Sequence, residues 1–340
     1  MKGIRFGALH SFNDLGLILS SKTIGTPSPK TETISVPGGD GVLDFTEFFG
    51  EVKYSNRPLS FNFTSVLPHS QFVEQFATIQ NALHGQKMTI TLDEDPNWYY
   101  IGRLTVPEWK SEKRIGKLTI DCDCEPYRNR LSSKAVNLCG RNLLNLDAGI
   151  ITDEGVWAKT ATGYTFTRRT GTGGTFVYWK LPVKKGQQYT FSATYTETTR
   201  LLYVYKDKLY GDLVAKVNNG LPAVFTAEEN GIYICGAYAT SAATEAVFTN
   251  MMIQEGGTVG AYESYDASER TVSASFSNIR KPAVPTAYTS GTVSAETDAT
   301  LVTLSEGSQA LPEFTFRQGE NALTFKGNGV TVLEWLERGL

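Results

Sequence analysis

Apolar and polar residues alternate along this chain in short runs far more often than they recur at helical spacing. Leu59, Phe61 and Phe63 alternate with Ser60, Asn62 and Thr64, the period of two that marks a strand with one dry and one wet face. Leu118, Ile120, Cys122 and Cys124 alternate in the same way with Thr119, Asp121 and Asp123, and Glu125-Pro126-Tyr127 closes that run. Between the two lies one helical pattern. Phe72, Phe76, Ile79 and Leu83 stack on one face, with Ser70 placed to cap the start and Gly85 to end it. Met88, Ile90 and Leu92 then alternate up to a polar turn, Asp93 to Asn97, and Trp98 to Val106 returns from it, which predicts a hairpin with a solvated acidic tip.

The character changes between about Asn142 and Asp266, a stretch dense in Thr, Gly and Tyr. Strands are expected at Thr175 to Val183, Gln188 to Thr196, Leu201 to Lys206 and Gly231 to Ala237; their regular spacing, broken by Gly and polar turns, predicts a β-sandwich. After it, Thr292 to Leu304 alternates weakly. Phe314 and Phe316, Leu323 and Phe325, then Val330 and Val332 suggest three short strands, with Gly327-Asn328-Gly329 as a tight hairpin turn between the last two.

A chain of 340 residues is long enough for two or three cores. Charged residues make up 20% of it, below the usual value of about 25%, and Gly, Tyr and Phe are abundant, which fits turn-rich β-structure. The net charge is −3, and no cluster of Lys and Arg could track a phosphate backbone, so nucleic acid is not an expected ligand. No run approaches the roughly 18–20 apolar residues that span a bilayer. Leu15 to Leu19 is short and broken by Gly16, so secretory export is not expected either. Of the four cysteines, Cys122 and Cys124 point the same way along a strand, and all four are read as free, buried thiols. Two cysteines and three scattered histidines, His10, His69 and His84, lack metal-ligand spacing.

Candidate chemistry concentrates in the region between 142 and 266. Its candidate carboxylates are Asp153, Glu154, Glu197, Asp207, Asp212, Glu245, Glu255 and Glu263, and a glycoside hydrolase acting on cell-wall sugar would need two of them across one cleft. Nothing in their spacing pairs them. No histidine follows His84, which leaves no Ser-His-Asp triad there, and Gly171, Gly173 and Gly174 do not have phosphate-loop spacing. No catalytic residue and no cofactor is therefore expected. Saccharide binding asks less, because sugars offer apolar ring faces to aromatics and hydroxyls to fixed polar groups. Trp157, Tyr178, Trp179, Tyr203 and Tyr205 are the chosen candidates, with Tyr164 and Tyr210 behind them. Adjacent Tyr178 and Trp179 must face opposite ways on a strand, and Tyr203 and Tyr205 must share a face.

The opening Gly7 to Leu17 (GALHSFNDLGL), the phrase Ile34-Ser35-Val36-Pro37-Gly38-Gly39-Asp40-Gly41, Leu43-Asp44 and Asn56-Arg57-Pro58 resemble the N-terminal domain of siphophage distal tail proteins. The ending is similar too, in Gly319-Glu320-Asn321-Ala322-Leu323, Gly327 and the terminal Trp335 to Leu340 (WLERGL). Asn142-Leu143-Leu144, Phe248 to Gly256 and Tyr262 to Tyr265 resemble the boundaries of carbohydrate-binding modules on phage tail proteins. The resemblance implies a mainly β protein: a ring-forming N-terminal β-sandwich or barrel-like domain with one α-helix over residues 1–125, a galectin-like C-terminal sandwich from residues 126–141 and 267–340, and an inserted jelly-roll-type sandwich over residues 142–266. It implies a virion structural hub at the tail tip, assembled in the host bacterial cytoplasm. The implied partners are five further copies in a hexameric ring, the tail tube protein, the tail-associated lysin or receptor-binding proteins, and host cell-wall polysaccharide.

Overall fold

The alternating runs become antiparallel ladders, and more than half of the chain is strand. The computed structural model describes every residue except 1, 49, 113, 114, 154, 155, 170–172, 196–199 and 219, and the backbone alone of 69 and 112. Chain contacts divide it into two compact units, residues 1–131 with 337–340, and residues 132–336.

In the first unit, Leu17–Ile24, Arg57–Ser65, Ile115–Cys124, Tyr99–Thr105, Lys87–Leu92 and Ile4–Phe6 pair in that order. Their inward residues form one core in which Phe6 meets Phe61 and Phe63 edge to face at 6.0 and 6.3 Å. The helix Phe72–Leu83 buries Phe72, Ile79 and Leu83, and its half-buried Phe76 packs on Trp109 at 5.8 Å. Ser70 does not cap it. A 3-10 turn, His69–Gln71, leads into the helix and already bonds Gln71 N to Pro68 O, so Gln71 takes the cap position with no side-chain bond. Apart from this core stands a small hairpin, Thr33–Ser35 with Val42–Asp44, whose residues are all exposed and whose turn carries Pro37 to Gly41.

In the second unit the strand Gly319–Gly339, which runs on into the first unit's residues, pairs with Arg270–Asn278 and with Thr286–Glu296. Phe276, Phe316, Phe325 and Trp335 make the centre of the core beside them. The expected strands around Leu323 and Val330 are thus one continuous strand, and Gly327-Asn328-Gly329 lies within it in unbroken register instead of forming a hairpin turn. Glycine is needed for closeness: a Cβ at Gly327 or Gly329 would lie 2.1 or 2.0 Å from the carbonyl oxygen of Thr292 or Ser290 on the paired strand. Phe314 sits in a 3-10 turn, Pro312–Phe314, and not in a strand.

Residues 150–255 of this unit form two five-stranded sheets. One runs Ile150–Ile151, Thr175–Val183, Gly231–Ala239, Arg200–Lys206, Leu213–Asn218; the other runs Trp157–Lys159, Tyr164–Thr167, Glu245–Glu255, Gln188–Thr194, Ala223–Thr226. Side chains from both fill one core, with Trp179 meeting Tyr164 at 5.6 Å and Phe191 at 6.5 Å, the arrangement of a sandwich. Val330 of the long strand joins that core as well.

All four cysteines are free and buried. Burial raises each thiol's pKa, to about 12 for Cys124 and Cys139. A thiol whose folded pKa is raised adds stability below its unfolded pKa, and that stability is lost as pH rises. Two results are expected: no thiol reacts with a disulfide reagent until urea exposes all four, and the unfolding midpoint falls above about pH 8.5, where unfolded thiols ionise.

Candidate functional site

Strand alternation divides the candidate aromatics between two faces of the first sandwich sheet. On Thr175–Val183, Val177, Trp179, Leu181 and Val183 turn to the core, so Phe176 and Tyr178 turn outward. On Arg200–Lys206, Leu202 and Val204 turn inward, and Tyr203 and Tyr205 outward. Gly236 lies between Tyr178 and Tyr203 in register. A Cβ there would meet the Phe176 ring at 3.0 Å and Tyr178 Cβ at 3.3 Å, so the glycine makes room for the rings to close over the sheet.

The outcome is an aromatic layer on the outside of the sheet. Tyr203 and Tyr205 stack at 5.5 Å with planes 9° apart, and Phe176 lies against Tyr203, Tyr205, Tyr210 and Tyr238 at 5.4, 6.4, 5.6 and 4.5 Å. The ammonium of Lys216 sits 5.3 Å from the Tyr203 ring centre. Tyr210 is 68% exposed, at the left-handed φ of 63° in the turn after Lys206. Desolvation, then the neighbouring phenols, push the Tyr205 hydroxyl up to about 12, so it is a neutral donor at ordinary pH. The layer therefore brings together three of the five candidates, Tyr178, Tyr203 and Tyr205. It adds Phe176 and Tyr238, which sequence reasoning missed: Tyr238 lies one residue past the expected strand end, and Phe176 is a Phe two before the chosen Tyr178.

Trp157 and Trp179 are elsewhere. They are 6% and 4% exposed, inside the sandwich, where Trp157 Nε1 donates to Thr175 Oγ1 and Trp179 Nε1 donates to Asn145 O at 2.9 Å. Both are core side chains and cannot stack on a ligand from solvent, which removes them from the candidate set. Tyr164 is buried beside them, its hydroxyl donating to Leu146 O at 2.7 Å.

The described candidate carboxylates, Asp153, Asp207, Asp212, Glu245, Glu255 and Glu263, are all exposed. Glu245 and Glu255 stand at the two ends of one strand, about 33 Å apart at strand rise, against the roughly 5–9.5 Å of a glycosidase pair. Glu263 pairs with Arg141 at 2.9 Å, and Asp207 and Asp212 belong to the turn that carries Tyr210. Glu154, Glu197 and Gly171 lie outside the described residues, while Gly173 and Gly174 lead into Thr175–Val183. Among the described residues no three His, Cys, Asp or Glu side chains gather to hold a metal. His10 is buried against Asp93, Nε2 to Oδ2 2.9 Å, and His84 Nδ1 accepts from Val106 N at 3.1 Å; both fasten loops.

Trp179→Ala is expected to lower stability by about 3–5 kcal/mol through the cavity it leaves, and Tyr178→Ala by less than about 1.5 kcal/mol. Urea unfolding of the full chain measures both. Equal losses would mean that Tyr178 is core as well.

No protein-family model and no curated protein matches the chain. Among solved structures, the Dit protein (gp 19.1) of phage SPP1, described as a hub of the adsorption apparatus in phages infecting Gram-positive bacteria, aligns over 100% of both chains at 9% identity with a TM-score of 0.38. A chain of the phage P2 baseplate in its activated conformation aligns over 96% of this chain and 98% of its own at 9% identity, TM-score 0.29. A mutant of Bacillus subtilis oxalate decarboxylase aligns over 59% and 76% at 9% identity, TM-score 0.14. Scores of this size fall short of a shared fold.

Proposed function

We propose that this protein is a structural hub of a phage tail tip, built as a ring of six copies joining the tail tube to the adsorption apparatus, and that residues 142–266 are an inserted module for host-envelope saccharide. One observation carries the ring. The hairpin that bears the Pro37-Gly38-Gly39-Asp40-Gly41 phrase exposes Ile34, Val36, Val42 and Leu43, each between 46% and 58%, and Phe48 beyond it is exposed further. Apolar side chains on a short hairpin clear of any core of their own find burial against another surface. A ring of identical subunits supplies that surface at every position through the same head-to-tail contact. The tail tube and the lysin or receptor-binding proteins would then meet the two sides of the ring.

Saccharide binding by the insert is supported by the aromatic layer. Its phenol oxygens are used by no hydrogen bond among the described residues, and the partly exposed rings of Tyr178, Tyr203, Tyr210 and Tyr238 give an apolar, sugar-compatible surface backed by Phe176 and Tyr205, which are 2% and 8% exposed. A single shallow site of this kind falls near millimolar to micromolar affinity, about −4 to −8 kcal/mol. Copies around a ring raise the avidity by about 10²-fold or more where they can engage together.

Native mass spectrometry at rising concentration is expected to show six copies, and Ile34→Ser with Leu43→Ser to return monomers whose unfolding midpoint is unchanged, since exposed substitutions shift stability by only about 0.5 kcal/mol. Three or twelve copies would overturn the stoichiometry, and an intact ring in the double variant would overturn the hairpin's role. Separately, the full chain is expected to co-sediment with purified host wall polysaccharide without releasing reducing ends. Released sugar would point to a wall hydrolase instead, and failure to bind any host wall would remove the saccharide reading.

A further inference from the structure

The second sheet of the sandwich contains an irregularity that its sequence does not announce. Gln188–Thr194 and Glu245–Glu255 pair with Ser192 opposite Met252 but Thr194 opposite Thr249, so the latter strand carries one residue too many. That bulge contains Asn250, held at the left-handed φ of 52°. Bulges re-aim a side chain and part the ladder, and a non-glycine residue at positive φ is strained unless its surroundings hold it there.

A cavity of about 270 Å³ opens beside the bulge, lined among others by Ser192, Thr194, Asn250, Met252, Gly260 and Tyr262. Its outer wall is the segment leaving the sandwich, and two buried amides and the exposed Arg141 fasten that wall. Gln254 Nε2 donates to Thr258 O, and Gln254 Oε1 accepts from Gly260 N at 3.3 Å. Asn142, 2% exposed, donates from Nδ2 to Glu263 O at 2.8 Å, and Arg141 donates to Ala261 O. The wall is thus set before any ligand arrives.

The lining specifies a chemistry. Among the described residues that line the cavity none is charged; two hydroxyls and an amide stand with Met252, Pro222, Val259 and the Tyr262 ring. The Asn250 amide reaches Thr194 Oγ1 only at 3.4 Å, a long bond that a better partner would displace. The volume lies just below the roughly 300–1,000 Å³ of sites for drug-sized ligands, which is room for one ring.

We propose that this cleft binds a single neutral pyranose unit, in a recognition mode separate from the aromatic layer on the other sheet. Ser192, Thr194 and Asn250 take its hydroxyls, and Tyr262, Pro222 and Val259 its apolar face, while Met252, 1% exposed, lies behind that lining. The proposal rests on the reading of the insert as a saccharide module and adds to it a second site.

Met252 provides the probe. The chain has four methionines, and with methyl-labelled methionine the Met252 signal, assigned through Met252→Leu, reports the cleft while Met88, which is not among its lining residues, serves as a control. Methyl glycosides of glucose, galactose, N-acetylglucosamine and rhamnose are titrated to tens of millimolar, the range of a weak single site. At least one is expected to move Met252 saturably and leave Met88 in place, and glucuronate is expected not to. Asn250→Gly keeps the positive φ and removes the amide, so it should preserve the unfolding midpoint and weaken the response at least tenfold. Thr194→Val should weaken it similarly, and Tyr203→Ala, on the other sheet, should not.

No movement of Met252 with any of the four sugars overturns the proposal, as does a response that survives Asn250→Gly. Wall polysaccharide binding read in parallel separates the two claims. A silent Met252 with polysaccharide binding that Tyr203→Ala abolishes defeats the cleft and leaves the saccharide module standing. A responsive Met252 without polysaccharide binding upholds the cleft and defeats the wall reading.

Discussion

Asn142 uses its whole side-chain amide on the backbone where the two-sheet sandwich begins and ends. Its Oδ1 accepts from Leu144 N at 3.0 Å and Ile253 N at 3.3 Å, and its Nδ2 donates to Glu263 O at 2.8 Å and Met251 O at 3.5 Å. Leaving such buried groups unpaired would cost about 1–3 kcal/mol each, so the three segments are held together or the amide is stranded. Asn328 repeats the device: its Nδ2 donates to Asp266 O at 2.6 Å and Ser268 O at 3.0 Å, while its Oδ1 accepts from the Tyr265 hydroxyl. The segments leading into and out of the sandwich are thereby brought to one place, which would let it be carried within a loop of another domain, as the proposed insertion requires. The cleft wall, the exit segment and the core closed by Val330 depend on that fastening.

How much of this could be read in the sequence depended on whether one face of an element was wet. Leu59 to Thr64 and Leu118 to Cys124 alternate because only one face is buried, and both became strands of the first unit with the expected parity. The helix over Phe72 to Leu83 was legible for the same reason. Thr175–Val183 is different. Nearly all of it is buried, inward residues by the core and outward ones by the aromatic layer, so period two showed that Tyr178 and Trp179 oppose each other without showing which was inside. Tryptophan suited the core, where its large ring and its N–H both found partners. Gly327-Asn328-Gly329 misled through local chemistry: the residues that make a tight turn also let two strands approach closely in mid-strand, and only the paired strand at Thr286–Glu296 decides between them.

The aromatic layer and the cleft differ in what they offer a ligand. In the layer the rings are largely occupied by each other: Tyr203 has Tyr205 on one side and the Lys216 ammonium near its ring, and Phe176 is covered on several sides. What faces water is mostly ring edge and phenol, suited to many weak contacts along a chain. The cleft holds few groups in fixed positions, suited to discrimination, because a polar group left unpaired by the wrong hydroxyl is penalised more than a missing apolar contact. The sequence announced the first through composition. It concealed the second, because Asn250, Thr194 and Ser192 are ordinary strand and turn residues until a one-residue slip in register brings them together.

Affinity then follows from what is ordered in advance. The cleft wall is fixed by Gln254, Asn142 and Arg141, so a sugar entering it would not bear the cost of ordering a loop, which runs to about 0.5–1.5 kcal/mol for each side chain immobilised. A single ring nevertheless exchanges hydroxyl bonds to water for bonds to protein, and the net gain of each exchange is only about 1 kcal/mol. Preorganisation can therefore make such a site selective, but it cannot make it tight. Tight attachment to a surface that repeats the same sugar has to come from repetition on the protein side. For that, a subunit contact at the exposed hairpin, as proposed above, would matter as much as any residue that touches the ligand.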